Sequence, residues 1–270
     1  MKLKILHLNI ERDKHVDSVY ELLKTRNPDV ACFQEIFMEE AERISKSFGY
    51  EFAFAPLVII KEEDKLKELG SAIFSKAPII DIKKYRYDDN KTEITPVRTL
   101  EEISSDKNGE RPKDRFLYHS TLLSVKIKGD NDKDITISTT HFPVTDHSNK
   151  GLDDHEARDL YKITEITITR NYLDRLIPFM RSIGQPVIFT ADLNNPRGEY
   201  IYDTIAHELV DIVPSSIDNT IDSKMHYAGG GLKLVVDTIM TSPDVRMDSF
   251  EIIEGVSDHK GLIACLWIRT

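Results

Sequence analysis

Six short stretches of this 270-residue chain put a chemically capable polar side chain at the end of an apolar run. Leu6–Leu8 leads into Asn9, Val30–Phe33 into Gln34 and Glu35, Ile135–Thr140 into His141, and Val187–Thr190 into Asp192 and Asn194. Asp237 interrupts the run that begins at Leu234–Val236, and Ser257-Asp258-His259 stands just ahead of Leu262–Ile268. Singly, most have an ordinary explanation. Asn9 suits a turn, Glu35 the first turn of a helix, and His141 an unremarked strand end. Asp237 does not, because a carboxylate on an apolar strand costs several kcal/mol unless it is paired. Six such sites in one chain point to a shared purpose.

The residue types form a coherent chemical set. Mg²⁺ takes hard oxygen ligands and keeps several waters, so one or two carboxylates and an amide oxygen suffice. Glu35 and Asp258, with Asn9, supply them. Hydrolysis further requires a water held and polarised by a carboxylate or an imidazole, for which Asp192 and His259 are the candidates. Asp237 can hold the second nitrogen of His259, fixing its tautomer and orientation. His141 and the amide of Asn194 suit charge developing on phosphoryl oxygens.

The elements that must position these groups alternate along the chain. Apolar, β-branched runs recur at Lys4–Leu8, Val30–Phe33, Ser71–Phe74, Leu117–Ile127, Ile135–Thr140, Pro186–Thr190, Leu232–Met240 and Leu262–Ile268. Val16, Val19, Tyr20 and Leu23 share a helical face that ends at Asn27-Pro28, and Met38, Ala41, Ile44 and Phe48 share another that ends at Gly49. A longer helix is expected over roughly 155–182. Strands outnumber helices in a mixed order, which favours an α+β layered sandwich over a doubly wound parallel sheet. The chain reads as a single domain over 1–270, with a polar surface insertion at 83–116 in which basic and acidic residues nearly balance.

Composition narrows the setting. Hydrophobic residues make up 40% and charged residues 30%, as in ordinary globular proteins. No apolar run approaches the roughly 18 residues of a membrane span, and Met1–Ile10 reads as a first strand. Cys32 and Cys265 lie in apolar runs without metal-site spacing, so both are expected as buried thiols in a cytoplasmic monomer. The net charge of −10 has the wrong sign for non-specific binding to nucleic acid.

The ordered pieces Leu8-Asn9-Ile10, Phe33-Gln34-Glu35, Thr140-His141, Ala191-Asp192-Leu193-Asn194, Val236-Asp237-Thr238-Ile239 and Ser257-Asp258-His259 resemble the endonuclease/exonuclease/phosphatase superfamily along nearly the whole chain. That resemblance implies a four-layer α/β/β/α sandwich, two packed mixed β-sheets flanked by helices, with the site at one sheet edge. It implies Mg²⁺ or Mn²⁺ held chiefly by Glu35 with Asn9 and Asp258, and Glu11 as a weaker ligand candidate. Asp192 and Asn194 would orient water and phosphate, and His141 would contact the phosphate or leaving group. Asp237 and His259 would form the pair described above, with Asp192 and His259 sharing water activation.

Asp192-Leu193-Asn194-Asn195-Pro196 and His155-Glu156-Ala157-Arg158 look like the small-hydrolase and lipid-phosphodiesterase members of that superfamily, the latter also like tyrosyl-DNA phosphodiesterases. Ala191 stands where a Gly is usual. After His141, Asp146, Asp153, Asp154 and Glu156 face a single Lys150, an acidic rim that repels polyanions. A small phosphodiester, phosphomonoester or phospholipid headgroup therefore ranks above DNA. His147 and His155 are expected to be exposed, and Tyr227 with Gly229-Gly230-Gly231 forms a hairpin-like segment beside the site. A nuclease of the same fold is the alternative. A silent binding module comes third, since neither a metal ligand nor the His/Asp pair is missing.

Overall fold

The computed structural model describes residues 1–62, 65–88, 120–129, 133–143, 170–226 and 233–269. Two six-stranded sheets pack face to face. The first contains β1 (Lys2–Asn9), β2 (Val30–Phe37), β3 (Glu51–Glu62), β4 (Lys65–Ser75), β11 (Val245–Ile253) and β12 (Gly261–Ile268), in the order β11-β12-β1-β2-β4-β3. The second contains β5 (Ile79–Arg86), β6 (Thr121–Lys128), β7 (Asp134–His141), β8 (Val187–Asp192), β9 (Val210–Asp211) and β10 (Asp237–Thr241), in the order β5-β6-β7-β8-β10-β9.

Helices cover both outer faces. Val19, Leu22 and Leu23 of α1 (Val16–Arg26), with Ala41 and Ile44 of α2 (Met38–Phe48), bury Leu6, Leu8, Phe33 and Phe74 of the first sheet. Leu173, Leu176 and Met180 of α3 (170–182) and Ile201 and Ile205 of α4 (Tyr200–Ala206) join the core of the second sheet. The expected four-layer sandwich is the fold. Asn27 and Gly49 close α1 and α2 in left-handed conformation, as their sequence positions lead one to expect.

Some sequence expectations are altered by the structure, and others lie outside the described residues. Residues 83–86 of the expected insertion belong to strand β5, and its remainder from 89 to 116 lies outside the described residues. Of the long helix, only 170–182 is described; the His155–Arg158 motif, the acidic loop, and Tyr227 with its glycines also lie outside. Cys32 is fully buried, but Cys265 is only half-buried. Cys265 lies on the face of β12 opposite to the inward-facing Ala264 and Leu266, between Lys4 of β1 and Ser249 of β11. Strands β3, β5, β9 and β11 were not expected: β3 carries Pro56, which argues against a strand interior, β9 is only two residues long, and β11 is an edge strand with few buried side chains.

Each sheet has one parallel pair at its heart, β1 with β2 and β7 with β8. Both strands of a parallel pair end at the same edge, so Asn9, Glu35, His141 and Asp192 are delivered to neighbouring strand ends without any further device. The inner faces grade from apolar to polar toward that edge. Ile5, Val30, Ile137 and Ile188 give way to a hydroxyl-and-amide layer, in which Gln34 Nε2 donates to Thr139 Oγ1 at 2.7 Å and Thr190 Oγ1 to the same oxygen at 2.9 Å.

Gly70 of β4 sits where two neighbouring strands depart from register. It pairs with Ile36 just after a bulge in β2, and with Pro56 just before a bulge in β3. A Cβ there would stand 2.2 Å from the Ala55 carbonyl oxygen and 2.6 Å from the Phe54 ring. Gly70→Ala is therefore expected to cost about 1–3 kcal/mol of stability, read as a lower urea midpoint. Because the shift falls beside the Glu35 bulge, activity should drop as well.

Candidate active site

Asp192 is the hub. It ends β8 with no solvent exposure and lies in cross-strand register with His141 of β7 on one side and Asp237 of β10 on the other. Its Oδ1 accepts the Asn194 backbone N–H at 2.9 Å, and its Oδ2 accepts Asn9 Nδ2 from the opposite sheet at 3.0 Å. His141 Nε2 lies 3.5 Å and His259 Nε2 3.7 Å from that same oxygen. Asn194 itself is left-handed (φ 51°) and gives Nδ2 to the Phe142 carbonyl at 2.9 Å, which ties the β8 turn to the end of β7. One amide N–H and its carbonyl oxygen remain for other partners.

Asp237 is fully buried, and both its oxygens meet imidazole nitrogens. Oδ2 lies 2.9 Å from His259 Nδ1, and Oδ1 lies 3.0 Å from His7 Nε2. Its backbone N–H donates to Thr220 Oγ1 at 3.1 Å, which fixes the start of β10. Burial pushes the Asp237 carboxyl up, but His259 and His7 outweigh it and hold its pKa below the usual carboxylate range. The converse holds for His259. Burial favours its neutral form, yet the charges of Asp237 and then Asp192 keep its pKa well above the ordinary imidazole value.

The acidic end lies across from this chain. Glu35 leaves the β2 ladder at the bulge between Phe33 and Ile36 and takes φ 51°, a left-handed conformation costly for a residue with a Cβ. Its backbone carbonyl accepts the Arg12 N–H at 2.8 Å, and its Oε1 accepts Asn9 Nδ2 at 3.2 Å. Asp258 accepts Ser257 Oγ at 3.1 Å. Burial raises the Asp258 carboxyl above its ordinary range, and the charges of Glu11 and Glu35 add to this against the pull of His259. Glu11 is already bonded to Lys14 and, at 3.0 Å, to His15.

A cation fits this donor set, because Glu35 and Asp258 are crowded acids with hard oxygens and no basic partner among the described ion pairs. The amide of Asn9 is more committed than its sequence position implies. Nδ2 bridges Glu35 and Asp192 and Oδ1 accepts the Glu11 N–H at 3.1 Å, leaving that oxygen one lone pair. Asp192, Asp237 and His259 also place ligand atoms within 4.8 Å of one another. A cation there would have to break the two bonds that satisfy buried Asp237, so we read that group as an orienting chain rather than a metal site.

All eight residues singled out from the sequence thus occur at one sheet edge, joined through Asn9 and Asp192 on one side and Asp237–His259 on the other. Gln34, noted at a strand end but given no role, faces inward between the sheets. Two neighbours were not singled out. His7 also faces inward, where a polar residue in an apolar run was the only hint. His226, with its ring centroid 6.5 Å from that of His259, sits on an ordinary loop.

A family model described as "Endonuclease/Exonuclease/phosphatase family" matches residues 6–259. No curated protein matches the chain in sequence. Among solved structures, an endonuclease/exonuclease/phosphatase from Bacteroides vulgatus is 16% identical, with 100% of each chain covered and a TM-score of 0.69. The Bacteroides thetaiotaomicron mannosyl-6-phosphatase is 14% identical over 98% of this chain and 100% of its own, with a TM-score of 0.66. D. rerio TDP2 complexed with single-strand DNA product is 14% identical over 98% and 99%, with a TM-score of 0.61. At these identities the likeness is one of fold.

Proposed function

Because this chain belongs to the endonuclease/exonuclease/phosphatase family, we propose that it hydrolyses a phosphate ester with the help of a bound Mg²⁺ or Mn²⁺. The observation that carries this reading is His259 held between two buried carboxylates, Asp237 at 2.9 Å and Asp192 at 3.7 Å. Glu35 and Asp258 would hold the cation, with the free lone pair of Asn9 Oδ1. When bound, the cation supplies charge neutralisation and polarisation of a phosphoryl oxygen.

The raised pKa of His259 supports one division of the work between the two groups that sequence left sharing it. An imidazole whose protonated form is favoured by two neighbouring carboxylates is better suited to donate than to act as a base. Asp192 then accepts the proton of the attacking water, while His259 Nε2–H and His141 Nε2 stabilise the phosphoryl oxygens. Asp237 keeps the His259 ring in the plane that aims Nε2 at the same space. Asn194 holds Asp192 through its backbone N–H and leaves part of its amide for water or phosphate.

The net charge of −10 favours a small phosphate ester or a lipid headgroup over a polyanion, and we place the protein as a monomer acting in the cytoplasm, a setting that suits its two free thiols. No helix among the described residues is long and apolar enough to cross a membrane. A panel of phosphomonoesters, bis-(p-nitrophenyl) phosphate, phospholipids, and single- and double-stranded DNA should show Mg²⁺- or Mn²⁺-dependent turnover that EDTA abolishes. Turnover confined to DNA would replace the substrate class with the nuclease reading. No metal-dependent turnover on any member would overturn the proposal.

A further inference from the structure

We propose that His7 is a positioning residue for the reaction, holding the Asp237 carboxylate in the plane from which it orients His259. The inference rests on the functional reading above for its kinetic consequence, but its structural part stands on the hydrogen bonds alone. His7 lies on β1, in line with Leu3 and Ile5 on the inner face of the first sheet, and its side chain has no solvent exposure. It reaches Asp237 on β10 of the second sheet, so the contact is a tie between the two layers.

The tautomer follows from what surrounds the ring. Nδ1 is buried and has no hydrogen-bond partner among the described residues. A buried N–H without an acceptor costs more than a bare lone pair, because the N–H is the stronger hydrogen-bonding group. The proton therefore sits on Nε2, and His7 donates to Asp237 Oδ1 at 3.0 Å.

With Oδ1 engaged from one sheet, the carboxylate cannot swing about its last torsion. Oδ2 is left for His259 Nδ1 at 2.9 Å, and the His259 ring is held with Nε2 toward Asp192. A purely structural tie would also stabilise the sandwich, but it would not act on turnover through His259.

Three variants separate the roles. In His7→Phe the ring volume stays and the donor goes. In His7→Gln the Nε2 donor is retained at nearly the same reach, and in His7→Asn the amide is too short. Steady-state kinetics with bis-(p-nitrophenyl) phosphate and Mn²⁺ should show kcat falling about tenfold to a hundredfold in His7→Phe with KM near wild type, and recovering in His7→Gln. Proton NMR of ¹⁵N-histidine-labelled protein should show the exchange-protected His259 Nδ1–H in the wild type and His7→Gln, and its loss in His7→Phe.

If His7→Phe does not fold, His7→Gln against His7→Asn makes the same comparison, with activity and the NMR signal kept only by Gln. Wild-type kcat together with an unchanged His259 signal in a variant lacking the donor overturns the assignment, as does equal loss in Gln and Asn. A wild-type protein that turns over no phosphate ester defeats the functional reading instead, while the NMR comparison still decides whether His7 holds Asp237.

Discussion

Glu35→Gln is expected to lower metal-dependent turnover by roughly a thousandfold, the effect of losing several kcal/mol of cation-borne transition-state stabilisation. The substitution keeps the shape of the side chain and its acceptor for Asn9 Nδ2. It removes one of the charges crowding Asp258, so thermal stability should hold or rise slightly. Glu35→Gly sharpens the point. Glycine adopts φ 51° without the penalty of about 1–2 kcal/mol that a side chain incurs there, so this variant should be at least as stable as the wild type and just as inactive. Strain maintained at a bulge makes sense only if the carboxylate it displays is used. Metal-dependent kcat near wild type in Glu35→Gln would remove Glu35 from the cation site.

His259 offers the second large effect, and two substitutions there part chemistry from stability. In His259→Asn, the amide nitrogen takes the place of Nδ1 and keeps the bond to Asp237, but nothing replaces Nε2. Turnover should fall by about 10²–10⁴, with a stability loss smaller than that of an alanine there, since the hydrogen bond to Asp237 stays although the counter-charge goes. In His259→Ala, the same loss of activity should come with a stability loss of about 3–5 kcal/mol, because buried Asp237 loses its main counter-charge. Denaturant unfolding of metal-free protein reads the second quantity independently of the first. Turnover unaffected in both variants would take His259 out of the reaction.

The polar ends of the strands were legible because strand periodicity is strict: Asn9 must share a face with Leu3 and Ile5, and Asp192 must lie beside whatever ends β7. Parallel pairing then converts four separate sequence positions into one place. What sequence could not supply was partnership. Nothing in the run Lys2–Leu8 says that His7 will meet a carboxylate on β10, since that bond depends on how two sheets stack. The same holds for the donor's end of Asn9, which faces two carboxylates, and for the raised pKa of His259, which follows from neighbouring charge outweighing burial. β3 and β11 escaped notice for a local reason. One carries Pro56 at a bulge, and the other is a polar edge whose pattern resembles a loop.

The pairing of β1 with β12, in which Lys2 lies opposite Trp267 and His7 opposite Leu262, has a consequence for how the protein comes into being. Closing so distant a contact is slow, because the chain loses most of its freedom before the pairing repays it. Asn9 and Glu35 are synthesised early, yet Asp258 and His259 enter the site only with the segment that leads into β12. The polar cluster at the sheet edge is therefore incomplete until the segment leading into β12 has been synthesised and paired, and its assembly can serve as the clock for that step of folding.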